Sequence, residues 1–234
     1  MQAIYKRELR AYFTTPIGYV TAAIFLAVSG FFFSLTTLQS QTTDVSSYFT
    51  YSLFVLVIVS ALLTMRLFAE EKKLRTEQLL LTAPISITSM VAAKFFAAET
   101  VFFGMLVLST FNLIPLYLFA APYTAQIVGN YIALFLVGSA FIAIGVFMSS
   151  LTENQLAAAV ATIGALLFLL IMGFANQYID LYVFRYLINW LSVYSRYQNF
   201  TYGIFDYNAL LYYVSVCFVF LYLTVRVYER RRWA

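Results

Sequence analysis

The chain has 234 residues, 63% of them hydrophobic and only 10% charged, with a net charge of +4. Soluble domains carry roughly 25% charged residues, so an aqueous globular fold is excluded and the apolar excess calls for lipid. Histidine is absent and the single cysteine, Cys217, lies in an apolar run. The commonest general base, the commonest metal ligand and any disulfide framework are therefore missing. The basic residues stand beside apolar runs, which reads as membrane topology and not as a nucleic-acid surface.

Residues 1–16 place Tyr5, Leu9, Tyr12 and Phe13 at helical spacing against Lys6, Arg7 and Arg10. This predicts an amphipathic helix lying in the inner membrane interface; a solvated basic tail is the alternative. A cleavable signal peptide is not expected, because no small-residue cleavage pattern follows the apolar run.

A helix needs about 20 apolar residues to cross the hydrocarbon core. Six stretches qualify: 17–38, 45–65, 95–119, 127–150, 156–175 and 208–225. The break Ala120-Ala121-Pro122 separates the third from the fourth, and Pro115 predicts a kink inside the third. Between the fifth and sixth, residues 176–207 are too polar to span, with Asp180, Arg185, Asn189, Arg196 and Asp206. Their Val183, Leu187, Trp190, Leu191 and Tyr194 share one helical face, which predicts a helical segment seated in the outer headgroup layer.

With the N-terminus inside, the cytoplasmic side holds Lys6, Arg7, Arg10, Arg66, Lys72, Lys73, Arg75, Lys94, Arg226, Arg230, Arg231 and Arg232, and the outside only Arg185 and Arg196. The bias fits an even number of spans with both termini cytoplasmic. The expected fold is one all-α membrane domain: six transmembrane helices, an N-terminal interfacial helix and a short outer interfacial segment.

Between spans two and three, residues 66–94 carry Arg66, Glu70, Glu71, Lys72, Lys73, Arg75 and Glu77, interrupted by Leu74, Leu79, Leu80 and Leu81 and closed by Pro84. Such a segment either docks into another protein or lays its leucines on the bilayer. Glu99, one turn past Lys94, is the lone acid plausibly inside a span, with a water-exposed or ion-paired structural role set against a functional intramembrane one. Ala23, Ala27, Gly30 and Ser34 on the first span, and Ala157, Ala161 and Ala165 on the fifth, form small-residue stripes that let helices approach closely.

Phe68-Ala69-Glu70-Glu71-Lys72, then Thr76, then Leu79-Leu80-Leu81-Thr82-Ala83-Pro84-Ile85-Ser86 resembles a motif of ABC-2 type transporter permease subunits, especially the group associated with gliding motility. The chain departs from that pattern at Arg75, where glycine is usual, and at Glu77-Gln78, where Leu-Glu is more usual. Ser149-Ser150-Leu151-Thr152-Glu153-Asn154-Gln155 is similar to the family's S-S-L-T-x-N-Q turn, and the stretch from Leu191 to Ser215 and the ending Glu229–Trp233 continue the likeness.

The resemblance implies a non-catalytic permease of a bacterial inner membrane, working as an exporter or a lipid- or polymer-handling system. ATP and Mg would be bound by a separate cytoplasmic ATPase, in keeping with the lack of a phosphate-binding G-x-x-x-x-G-K-[ST] loop in this chain. The coupling surface implied is Phe68, Glu70, Glu71, Lys72, Lys73, Arg75, Thr76, Leu79, Leu80 and Pro84, joined by Glu153 and Asn154. A second permease copy or homologue would meet the small-residue stripes, which otherwise pack within one subunit. An auxiliary membrane subunit with an extracytoplasmic domain and membrane lipids complete the implied partners; nucleic acid is not among them. The alternatives are an ion- or proton-coupled carrier or channel, for which Glu99 alone is offered, and a non-transporting scaffold for a cytoplasmic complex.

Overall fold

A computed structural model describes residues 1–78, 85–175 and 192–233. The described elements are all helical: α1 Gln2–Thr14, α2 Pro16–Phe33, α3 Ser46–Lys73, α4 Ile87–Ser109, α5 Ile114–Phe119, α6 Thr124–Leu151, α7 Gln155–Ala175, α8 Val193–Thr201 and α9 Tyr207–Trp233. Six spans are long and apolar enough to cross a membrane: Pro16–Leu38, Ser46–Lys73, Ile87–Phe119, Thr124–Leu151, Gln155–Phe174 and Tyr207–Arg231. The protein is a multi-pass, all-α membrane protein.

Helices α3 and α6 form the centre. Of their most apolar windows 78% and 67% are buried, against 17% for α9, so the remaining spans are arranged around this pair. The two helices touch backbone to side chain: a Cβ on Gly145 of α6 would overlap the Thr64 side chain of α3. Only a glycine permits that approach.

Two helix ends differ from the sequence expectation. Helix α3 continues past residue 65 to Lys73, and α4 begins at Ile87 instead of 95. Arg66, Glu70, Glu71, Lys72, Lys73 and Lys94 thus belong to helices and not to a loose connector. Charge marks where an apolar run stops, but it does not stop a helix whose charges find partners. In the third span the expected kink appears as a 3-10 turn, Thr110–Leu113, after which α5 restarts with Pro115 in its first turn, where a missing N–H costs nothing.

The N-terminal helix α1 buries Ile4, Glu8 and Tyr12, spaced i, i+4, i+8. Tyr5 and Leu9 only flank this stripe, and Phe13 is 53% exposed. The expected apolar face is therefore kept only at Tyr12, and the inward stripe is completed by Ile4 and Glu8. An extended Thr15 separates α1 from α2, and a Cβ on Gly18 would overlap the Tyr12 carbonyl, so α2 starts against the last turn of α1.

At the other end of the bundle, α8 packs Val193, Tyr197 and Phe200 onto α6 and α7. Gln126 Nε2 donates to Ser46 Oγ (2.9 Å) and to the Thr201 carbonyl (2.7 Å), joining α6, α3 and α8. Tyr197 Oη donates to Asn130 Oδ1 at 3.2 Å, and Asn130 Nδ2 donates to the Gln126 carbonyl at 2.8 Å. Asp44 Oδ1 accepts from the Ser46 amide at 2.9 Å and its hydroxyl at 2.6 Å, fastening the first turn of α3. Val183, Leu187, Trp190 and Leu191 of the expected outer face lie outside the described residues.

Candidate functional site

The densest chemistry lies where α1, the end of α3 and the start of α4 meet. Lys94 of α4 is fully buried. Its Nζ reaches Glu8 Oε1 at 3.1 Å, Glu71 Oε1 at 2.9 Å and the Leu67 carbonyl at 2.6 Å, above the Phe68 ring. Arg7 bridges the same two carboxylates, at 2.5 Å to Glu8 and in direct contact with Glu71. The result is a closed ring of alternating charge, Arg7–Glu8–Lys94–Glu71. Burial pushes the Glu8 carboxyl up, but Lys94 and Arg7 together outweigh that and hold it below the ordinary glutamate value.

A second junction lies beside the ring. Arg66 Nη1 donates to Thr15 Oγ1 at 2.8 Å and its guanidinium covers the Tyr12 ring at 4.6 Å, while Tyr12 Oη donates to the Leu63 carbonyl at 2.5 Å. A buried cation is costly unless hydrogen-bonded, and here an aromatic face and a hydroxyl replace water.

The Ser149–Gln155 turn is brought to the same place. Ser149 Oγ accepts from the Phe68 and Ala69 amides at 3.1 and 3.2 Å and donates to the Met65 carbonyl at 3.1 Å. Lys72 Nζ donates to the Ser150 carbonyl. Thr152 Oγ1 accepts from the Asn154 amide and Asn154 Oδ1 from the Leu156 amide, so two side chains turn the chain into α7. From α9, Tyr228 packs its ring against Phe68 and Arg231 lies 3.6 Å from Glu77. One end of the bundle therefore gathers residues from α1, α3, α4, the α6–α7 turn and α9.

This sorts the residues singled out from sequence. Phe68 and Lys72 are buried, and Glu71 is engaged in the ring, so these three hold the bundle together. Glu70 is half-buried, whereas Lys73, Arg75, Thr76, Glu153 and Asn154 are exposed at the surface of that end. Leu79, Leu80 and Pro84 lie outside the described residues. Glu8 was not legible as a site residue; the signal was an acid at i+4 from Ile4 and i−4 from Tyr12.

Arg75 closes α3 in an unusual way. Its φ is +56°, the left-handed region where glycine is at ease and other residues are strained. The Arg75 amide donates to the Lys72 carbonyl at 3.0 Å and the Thr76 amide to the Glu71 carbonyl at 2.9 Å. That is the two-bond helix cap which glycine ordinarily occupies. An arginine held there presents its side chain at the tip of α3 at a backbone cost.

The small-residue stripes face outward in part. Ala23, Ala27, Ala157 and Ala161 are exposed, while Gly30, Ser34 and Ala165 are half-buried, with Gly30 beside Asn112. Glu99 is buried between helices, with Oε1 accepting from Ser139 Oγ at 2.5 Å and Oε2 without a hydrogen-bond partner among the described residues. It forms no ion pair there, contrary to the water-exposed or ion-paired expectation. No group of three metal-ligating side chains occurs among the described residues. No protein-family model and no curated protein matches the chain.

Proposed function

We propose that this chain is the membrane-spanning permease subunit of an ATP-driven transporter of the ABC-2 type, in an inner membrane with both termini cytoplasmic. It would work as an exporter or as part of a lipid- or polymer-handling system. The observation that supports this reading best is the surface around the tip of α3. Lys73, Arg75 and Thr76 stand exposed beside Glu153 and Asn154, on a platform locked by the Arg7–Glu8–Lys94–Glu71 ring. A partner ATPase that moves on binding nucleotide needs such a surface: polar at its face and stiff behind it. Differential contacts there bias the equilibrium between membrane-domain states. The exposed alanines of α2 and α7 offer a seam for a second permease subunit.

The test is co-purification with a cytoplasmic P-loop ATPase encoded beside this chain, comparing the wild type with the combined variant Lys73→Glu, Arg75→Glu and Glu153→Lys. Glu71 and Lys72 are left intact, because their loss would damage the bundle itself. Association should fall sharply while membrane insertion and monodispersity stay unchanged; undiminished capture of the ATPase sinks the docking surface.

One observation favours a second reading, an ion- or proton-coupled carrier. Glu99 is buried inside a span with one oxygen unmatched among the described residues, and intramembrane carboxylates mark ion paths in such proteins. Transport by the isolated chain in liposomes driven by an ion gradient, without ATP, would select it.

A further inference from the structure

Helix α1 turns Ile4, Glu8 and Tyr12 inward and leaves its other side uncovered. On that side Lys6, Arg10 and Phe13 recur at i, i+4 and i+7, one face of a helix, and all three are exposed. A groove of about 470 Å³ runs along it, lined by Ala3, Lys6, Arg7, Arg10, Ala11 and Thr14. The two alanines leave room between the longer side chains. Arg7 is spent on Glu8 and Glu71, the carboxylates of the buried ring. Lys6 and Arg10 make no hydrogen bond or ion pair with any described residue, and no carboxylate lines the groove. One end of the face is aromatic: the Phe13 ring meets Tyr19 of α2 edge-on, with 6.1 Å between centroids.

We propose that Lys6 and Arg10 form a binding site for the phosphodiester of an anionic glycerophospholipid, in the leaflet that meets the ionic end of the bundle. Four residues apart, they are offset by about 6 Å along the helix at 1.5 Å per residue, so an ammonium and a guanidinium converge on one phosphate. Neither cation has a carboxylate to release first. The source of the phosphate follows from what adjoins the face. Tyr19 and Val20 are 61% and 51% exposed, and only 28% of the most apolar window of this first span is buried, so this side of α2 faces hydrocarbon. Phe13 continues that surface onto α1, and aromatic rings at the edge of a span settle at the headgroup level. Arg10 and Lys6, one and two turns before Phe13, therefore lie among lipid phosphates. An acidic segment of a soluble protein would match the charge but would have to displace that layer. The site requires the membrane alone and stands whether or not an ATPase docks at the tip of α3.

The test places a photoreactive p-benzoylphenylalanine at Phe13, beside the site, or at Leu156, an exposed position on the α6–α7 side of the same end of the bundle. The full chain is reconstituted in nanodiscs of equimolar phosphatidylglycerol and phosphatidylcholine, and the captured lipid is identified by mass spectrometry. Position 13 should capture phosphatidylglycerol in preference by about thirtyfold, the weight of two basic residues at an anionic surface. Position 156 should capture the two lipids about equally. Lys6→Ala with Arg10→Ala should bring position 13 close to parity. Lys6→Arg with Arg10→Lys should retain most of the preference, which separates loss of charge from damage to α1. Parity at position 13 in the otherwise wild-type chain overturns the site, as does an equal preference at position 156 or one that survives the double alanine variant. Glycerol phosphate and a polyglutamate peptide, each added at the concentration of the lipid, should leave the capture unchanged. Loss of the preference to glycerol phosphate would make the ligand a free phosphate, and loss to the peptide would make the face a protein-docking surface; either overturns the lipid assignment.

Discussion

The two ends of the bundle are fastened by different chemistry. At the end of α1, the tip of α3 and the start of α4, the fastening is ionic: a closed ring of four charges in which Lys94 is fully buried and Arg7 forms the exposed outer side. At the α8 end it is mostly neutral, built on Gln126, Asn130, Tyr197 and Ser46, with the carboxylates of Asp44 and Asp206 at the margin. Removing one member of a buried ionic ring strands its partners as unpaired charges, whereas removing one neutral hydrogen bond costs only its modest net worth. The ionic end therefore behaves as a unit, and the neutral end as a set of separable contacts.

Lys94→Met breaks the comparison hardest. It leaves Glu8 and Glu71 with Arg7 alone, and a loss of about 3–5 kcal/mol is expected. The check is the thermal midpoint of the detergent-solubilised protein, with tryptic cleavage at Lys6, Arg7 and Arg10 reporting release of α1. A weaker version of the same injury is acid. Glu8 is held below its ordinary value of 4.5, so the unfolded chain binds more protons between the two values. Its stabilisation is full above about that pH and is lost as pH falls through the lower, folded value. Tryptophan fluorescence of wild type and Glu8→Gln across pH 3–7 should show the acid loss in the wild type and a blunted one in the variant.

The neutral end supplies the contrast. Asp44→Ala removes the acceptor for the Ser46 amide and should cost about 1 kcal/mol, with the opposite end unaffected. Hydrogen exchange localised to the first turn of α3 and absent from α1 checks both parts. The smallest effect has the opposite sign. Arg75→Gly relaxes a left-handed residue and should raise stability by up to about 1 kcal/mol, while lowering ATPase association if Arg75 is a contact. An unchanged thermal midpoint would show that the cap carries no strain.

Much of the architecture was legible from one sequence because lipid imposes a length on every span. Apolar runs located all six, and Pro115 and the Ala120–Pro122 break fell where the chain does change direction. The helix ends beside charges were not legible. Arg66 and Lys94 look like boundaries until Thr15, Tyr12 and Glu8 are known to cover them, and Glu8 is 86 residues from its lysine. Local spacing reports which residues share a face, but not which face turns inward. For α1 it selected Tyr12, which the fold does bury, but missed Ile4 and Glu8, which complete the inward stripe. The same limit applied to the α3 segment, whose charges read alike from sequence although Lys72 is interior and Lys73 is not. Spacing likewise put Ala23 and Ala27, and Ala157 and Ala161, on shared faces, and only the fold turns these four outward.

The unbroken length of α3 has a mechanical consequence. Its 28 residues make a rod about 42 Å long, longer than the ~30 Å hydrocarbon core it crosses. One tip is the Arg75 turn, and the other is tied through Ser46 to Gln126 and the Thr201 carbonyl. Thrust delivered at the first tip has no joint along the way in which to dissipate. In the proposed transporter it would arrive at α8 on the far side as displacement, with α3 serving as a pushrod through the bilayer.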